Sequence, residues 1–507
     1  MTSPASTPEH APKRSGRRAR KAAAGGAGTT PAAAPAAAPT LAIPAATQPA
    51  YLARAAHLRT RKERSEAGRA LRVTCPREAH AGFKAAATRA DPVDLLIASS
   101  VGRIPHLVPI RYGRMLASPF AFYRGAAAIM ASDLSTTPST GLILQACGDC
   151  HLVNFGAFAT PERRIIFDIN DFDETHPAPW EWDLKRLAAS FVIASRHNGH
   201  KPADCRAAAA AVVSHYAEKL DELAALPTLE AWYSYLDYEA LVELTEDQEL
   251  KRRRKKVLQK AMSHDASAEF VKLAHLQDGL PRIRDLPPLI FHPEDWREPG
   301  FAEGVRESVA RYRESLSADR RVLFDRYEMA DVAIKVVGVG SVGTLCAVML
   351  LFAAEDDMLF LQIKEARPSV LEPFVKVPAF ASNGERVVFG QRLMQAASDV
   401  FLGHAIGAQG THLYVRQLRD VKIKPMVEIF TAQNMRGYAR NTGWALARAH
   451  ARSGDPALVA GYIGKGNALA DAVAEFAVDY ADQNERDHAA MLAAVRAGRI
   501  DATMEGE

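Results

Sequence analysis

The chain reads Cys147-Gly148-Asp149-Cys150-His151-Leu152-Val153-Asn154, then Ile166-Phe167-Asp168-Ile169-Asn170-Asp171-Phe172-Asp173. A Gly-Asp-x-His-x-x-Asn loop followed by an apolar strand that ends in acids suits phosphoryl transfer. One Asp orients or deprotonates an attacking hydroxyl, while an Asn and a second Asp hold the magnesium that neutralises ATP's phosphates. Asp168, Asp171, Asp173 and Glu174 crowd into seven residues. Such acids repel one another unless a cation or an arginine sits among them, which favours a metal site.

A second constellation lies far downstream, in Val337-Gly338-Val339-Gly340-Ser341-Val342-Gly343-Thr344. In a dinucleotide-binding unit the third glycine of GxGxxG opens a helix. Here Leu345 to Phe352 follow, apolar and without a helical stripe, and Glu355-Asp356-Asp357 close the run like a hairpin turn. A glycine loop between two strands is the arrangement that lies over the phosphates of ATP. The GxxxxGK[ST] pattern of a Walker-type loop is absent from the sequence. Lys364 then ends the apolar strand Leu359–Ile363, where a lysine pairs with nucleotide phosphates. Gly338, Gly340, Ser341, Gly343 and Lys364 are therefore the expected nucleotide contacts. The lysine needs a helical glutamate; Glu385 and Glu372 are both available, and Glu385 stands nearer the expected helix.

The elements that must position these residues are legible in outline. Residues 1–50 are rich in Ala, Pro and Gly and hold six bases and one acid, so they read as a disordered basic tail. With the net charge at +4, the remainder carries about −1, so the body is not expected to bind nucleic acid. Five scattered cysteines suggest a reducing, cytoplasmic compartment. Cys147 and Cys150 form a lone CxxC without a second pair to complete a zinc site. The Ala-rich stretch after Lys21 lacks the compact apolar core of a secretory leader, and no apolar run reaches the ~20 residues of a membrane span.

Residues 51–72 read as a basic helix, Pro119 to Ser132 as a helix, and Gly141 to Ala146 as a strand running into the Gly148-Asp149 loop. Phe155–Phe158 and Arg164–Phe167 read as strands about a turn, and Asp183 as the N-cap of the helix that follows. Residues 200–330 read as mostly helical. Their basic run Lys251–Lys256 reads as a solvated helix with acid-before-base pairs such as Glu249 with Arg253. Strands are expected at Ala333–Val337, Thr344–Phe352, Met358–Lys364 and His412–Leu418. Helices are expected at Arg386–Leu402, Tyr438–Arg452 and Ala457–Ala497.

Long motifs carry a family resemblance. Arg111-Tyr112-Gly113-Arg114-Met115, Ser118 to Gly125, Cys147-Gly148-Asp149, Asn170 to Glu174, Glu181 to Arg186, Gln391 to Gln395 and Ala449 to Asp455 resemble the bacterial family catalogued as domain of unknown function 2252, from about residue 66 to about 495. A more distant likeness joins the chain to aminoglycoside-phosphotransferase-like kinases. Leu446-Ala447-Arg448-Ala449-His450 resembles the helix ending that directly precedes their catalytic loop, yet it lies near the C-terminus. That likeness implies a two-lobed, kinase-like α+β fold, circularly permuted and carrying extra helices. Residues 51–330 would form a helical lobe with the catalytic and metal motifs, 331–430 a strand-rich nucleotide lobe, and 431–507 C-terminal helices packing on the first lobe. Termini that lie close together make such permutation tolerable.

Carried over by position, the likeness makes Asp149 the catalytic base and Asn154 a magnesium ligand. His151 matches the second His of the phosphotransferase loop, and Asp183 the structural acid that bonds that loop. Asp171 and Asp168 both compete for the remaining metal role, Asp171 by its interval to Asp183 and Asp168 by its interval from Asn154. One departure is Cys147, which stands where those kinases carry His or Arg. The expected activity is ATP- and Mg2+-dependent transfer to a hydroxyl of an unnamed acceptor. The rivals are AMP transfer, a nucleotide-binding pseudokinase, and a dinucleotide oxidoreductase with a helix after Gly343.

Overall fold

The computed structural model describes residues 59–504 apart from 263–272, 278–279, 288, 298, 337, 355–356, 378–379, 408, 419–420 and 466. The reading of residues 1–50 as a tail, and of 51–58 as helix, lies outside that set. Five helices come first: α1 (Arg61–Ala70), α2 (Pro92–Ser100), α3 (Val108–Leu116), α4 (Pro119–Gly125) and α5 (Ala127–Leu134). The last two were expected as one helix. They break at Ala126, whose φ of −106° and ψ of 29° leave the helical region.

Next come β1 (Ile143–Ala146), the hairpin β2 (Phe155–Ala159) and β3 (Ile165–Ile169), and β4 (His176–Pro179), which returns to pair with β1. Helices α6 (Trp180–His197) and α7 (Pro202–Ala225) follow, then β5 (Leu236–Asp237) on the edge of β3. In α8 (Gln248–Met262) the basic run is spent on local pairs: Arg253 bonds Glu249 at 2.8 Å, and Lys255 bonds Glu243 at 2.6 Å. The expected solvated helix is what forms there.

The region after α8 holds β6 (Ala274–Gln277), β7 (Leu280–Ile283), β8 (Ile290–Phe291) and α9 (Pro299–Ser315). Then β9 (Glu328–Lys335), β10 (Cys346–Ala354) and β11 (Asp357–Glu365) fold as an antiparallel meander, because glycine punctuation and an acidic turn separate three apolar runs. After α10 (Asn383–Met394), β12 (Gly403–Ile406) and β13 (His412–Gln417) complete an antiparallel sheet in the order β12-β13-β11-β10-β9-β8. β14 (Lys422–Ile423) joins β2, giving a second sheet, β14-β2-β3-β5. The chain ends in α11 (Ala432–Ser453), α12 (Pro456–Ile463) and α13 (Asn467–Arg496). The last two were expected as one helix; Gly464, at φ 69°, stops the first of them.

The fold is thus mixed α+β. Its main core lies where α6, α7, α11 and α13 pack around the β2–β3 hairpin. Small residues let the helices close up: a Cβ on Gly443 of α11 would lie 2.4 Å from the Val212 carbonyl of α7. Gly454, just past α11, sits against β1, since a Cβ there would lie 2.0 Å from Leu144 Cδ2. Among the described residues no helix is long and apolar enough to cross a membrane.

Candidate active site

β1 delivers the chain into the loop 147–154. Gly148 takes φ 83°, and a Cβ on it would lie 2.1 Å from the Glu174 carbonyl oxygen, so the turn requires glycine. Asp183 then holds the turn: its two carboxylate oxygens accept the Cys147 N–H at 2.7 Å and the Gly148 N–H at 3.0 Å. Helix α6 begins at Trp180, so Asp183 sits in the first turn rather than at the expected N-cap. His450 of α11 stands behind it, Nε2 3.4 Å from Asp183 Oδ2 and Nδ1 2.8 Å from the Tyr216 hydroxyl. The loop-bonding role implied for Asp183 is therefore the one it performs. Cys147, Cys150 and Asp183 place ligand-type atoms within 4.8 Å. Both Asp183 oxygens are already bonded to the loop amides, however, and burial pushes both thiols up, Cys150 to about 11.

Asn154 donates its Nδ2 to the Asp149 carbonyl at 2.7 Å, which leaves its amide oxygen for another partner. Asp149 is clamped by Arg186 of α6. Nε donates to Oδ1 at 2.8 Å, Nη2 donates to the same oxygen, and the guanidinium stacks 4.5 Å from the Tyr123 ring. Burial alone would lower the Arg186 pKa, but Asp149 outweighs it and holds the cation charged. The other oxygen, Oδ2, lies 3.8 Å from His151 Nε2. Burial holds His151 down to about 3, so its imidazole is neutral.

The downstream acids separate into distinct roles. Asp168 points into the core, where Arg448 Nη2 reaches its two oxygens at 2.8 and 2.9 Å and the Ala396 N–H donates at 2.8 Å. It is fully buried and does not line the cleft, so the geometry takes it out of the metal set. Asp171, past the strand end, accepts the Asp173 N–H at 3.3 Å and lines the cleft. Asp173 accepts Lys364 Nζ and the Tyr414 hydroxyl. Burial would lower the Lys364 pKa, but Asp173 carries it well above its ordinary value. Glu174 is pushed up to about 7, chiefly by burial, with Asp149 and Asp173 adding to it against the Val370 N–H bond. Neither expected glutamate meets the lysine: Glu385 accepts the Ala381 N–H at 3.0 Å just before its own helix, and Glu372 is exposed.

The glycine loop faces these acids. Arg103 donates to the Gly340 and Val342 carbonyls at 2.8 and 2.6 Å, and Gly343 accepts the Ile104 N–H at 2.7 Å. A Cβ on Gly340 would lie 3.3 Å from the Arg124 carbonyl, so α4 rests on the loop tip. Strand β10, not a helix, follows Gly343, which removes the dinucleotide reading. One cavity of about 140 Å³ is lined by Asp149, His151, Asn154 and Asp171 on one wall and by Gly338, Gly340 and Ser341 on the other. Lys364 and Gly343 are not among the cavity-lining residues: Lys364 bonds Asp173, which is, and Gly343 accepts the Ile104 N–H.

A family model described as uncharacterized protein conserved in bacteria (DUF2252) matches residues 103–494. The chain belongs to that family. No curated protein and no solved structure matches it. The family span takes in every cavity-lining residue named above, together with Arg186 and Lys364.

Sequence reasoning assigned no role to Arg186, Arg103 or Arg448, and it counted Asp173 among the acids of a metal site, whereas the side chain is held by Lys364 and Tyr414. For Arg186 a signal existed: it lies three residues after Asp183 on α6 and so shares its face. The others act across long chain separations and leave no local trace.

Proposed function

We propose that this member of the family is an ATP- and Mg2+-dependent phosphotransferase acting on a hydroxyl, built on a circularly permuted kinase-like fold. The observation that carries the reading is the shared cavity, with Asp149, Asn154 and Asp171 facing the glycine loop while Lys364 is tethered to the same acidic segment. The sheet order β12-β13-β11-β10-β9, with α10 between β11 and β12, suits a nucleotide lobe whose lysine strand follows its glycine hairpin. The Gly454–Leu144 contact supports the permutation, because it puts the end of α11 beside the start of the strand that feeds the catalytic loop.

In this reading Asn154 and Asp171 offer hard oxygen ligands that suit magnesium. The ion would supply charge neutralisation on the phosphates. Asp149 orients the acceptor hydroxyl and takes its proton as the oxygen bonds to the γ-phosphorus. The bond to the β,γ-bridging oxygen breaks with its electron pair leaving on ADP. Glycine-loop amides and Lys364 hold the phosphates, so catalysis rests on positioning and electrostatics. The cavity, about 140 Å³, is smaller than the roughly 300–1,000 Å³ of ordinary ligand pockets, so in this reading the cleft widens to admit ATP.

A second reading, nucleotide binding without turnover, is favoured by one feature: Arg186 occupies one oxygen of Asp149. Incubation with Mg·ATP and a panel of hydroxyl acceptors, with mass analysis of products, separates the two. Phosphotransfer adds a phosphoryl mass that Asp149→Asn abolishes; AMP transfer adds an adenylyl mass; the binding-only reading gives no adduct.

A further inference from the structure

The cavity holds a cation that the phosphotransfer roles leave unused. Arg124, at the end of α4, lines it together with Asp149 and His151. Among the described residues its guanidinium forms no hydrogen bond or ion pair; it lies 6.0 Å from the Phe120 ring, and its Nε is sealed from solvent without a partner. His151, also on the cavity wall and 4% exposed, has an Nδ1 that is likewise buried and unpartnered. Both residues line the same cavity, and each carries a polar atom without a partner, where buried polar atoms otherwise find one; an anion held between the two side chains would account for that.

The position of Arg124 separates it from the metal side of the cleft. The acids that act on it are Asp149 and Glu428, not Asp171 or Asp173, while burial disfavours its charge. Asp149 is already paired with Arg186, so Arg124 stands without an ion pair of its own beside the place an acceptor hydroxyl must occupy. A planar guanidinium matches the oxygens of phosphate or carboxylate in pairs.

We propose that the acceptor of this site carries an anionic group of its own, phosphate or carboxylate, and that Arg124 binds that group with His151 Nδ1 beside it, so presenting the neighbouring hydroxyl to Asp149. The acceptor role rests on the phosphotransfer reading; the anion site rests on Arg124 and His151 alone.

The test is calorimetric titration of inorganic phosphate, and in a parallel arm of acetate, into the full chain saturated with Mg2+ and the non-hydrolysable analogue AMP-PNP. At least one of the two anions should bind the wild-type complex. Arg124→Gln should weaken that binding at least tenfold, Arg124→Lys should recover part of it, and AMP-PNP affinity should stay within about twofold in both variants. The stronger arm tells phosphate from carboxylate. Binding of neither anion, or equal binding in Arg124→Gln, would overturn the proposal. So would competition between phosphate and AMP-PNP with loss of nucleotide affinity in Arg124→Gln, which would make Arg124 a contact of the γ-phosphate. Failure of AMP-PNP to bind wild type would instead overturn the phosphotransfer reading. Phosphate binding to the free chain that Arg124→Gln abolishes would still uphold the anion site.

Discussion

Asp168 and Asp171 stand three residues apart and have opposite fates. The first lies within β3, and its side chain is directed into the core onto Arg448; the second lies beyond the strand end and reaches the cleft. Removing one partner of a buried ion pair leaves an uncompensated charge, which costs about 3–5 kcal/mol. Arg448→Met should therefore lower unfolding free energy by that amount in urea melts. Asp171→Ala, at the cavity wall, should leave those melts nearly unchanged and act on magnesium instead. The buried histidines set a pH dependence at the same scale. Burial, with Lys185 nearby, holds His80 down to about 3, and burial, with Arg386 nearby, holds His176 down to about 4, against an ordinary value of 6.5. The unfolded chain therefore binds protons that the native chain refuses as pH falls below 6.5. Stability should decline by roughly 1.4 kcal/mol per pH unit for each histidine over that interval. Urea denaturation at pH 7, 6 and 5 should show the decline, and His80→Gln, which can keep the bond to the Tyr462 hydroxyl, should flatten it.

The glycine hairpin is held by elements from far upstream rather than by its own strands. Arg103 bridges the Gly340 and Val342 carbonyls, and the Arg114 guanidinium reaches the Gly338 carbonyl. Arg103→Ala should raise amide exchange at residues 339–344 at least tenfold while leaving β12 and β13 unchanged; equal exchange would place the restraint elsewhere. The hairpin itself was legible, because its glycines interrupt two apolar runs at strand spacing, and Lys364 was legible as the polar end of the third. Its partner was not. A helical glutamate was expected, but Glu385 is spent on the Ala381 N–H just before α10, and the carboxylate that meets Lys364 comes from Asp173, 191 residues away. The helix breaks at Ala126 and Gly464 were missed for a similar reason. Apolar periodicity runs through both, and backbone conformation at a single residue decides where each helix stops. The acid-to-loop bond of Asp183 was read correctly in role and misplaced by one helical turn.

At the scale of the molecule, the separated motifs meet because α11 crosses from the sheet region back to the loop 147–154, setting Arg448 on Asp168 and His450 on Asp183. The segment from α2 to α5 lines the cavity beside the glycine loop, and Arg103, between α2 and α3, bonds that loop's carbonyls. A site assembled this way should be silent in the free chain and become visible when nucleotide orders it. The most direct measurement is the melting temperature of wild type and Asp171→Ala with and without Mg·ATP. Ligand at 100 times its dissociation constant adds about 2.7 kcal/mol of stability, enough for a rise of about 2–3 °C in a chain of this size. Wild type should show that rise, it should require magnesium, and Asp171→Ala should lose most of it. No shift in wild type, or an equal shift in the variant, would contradict the account.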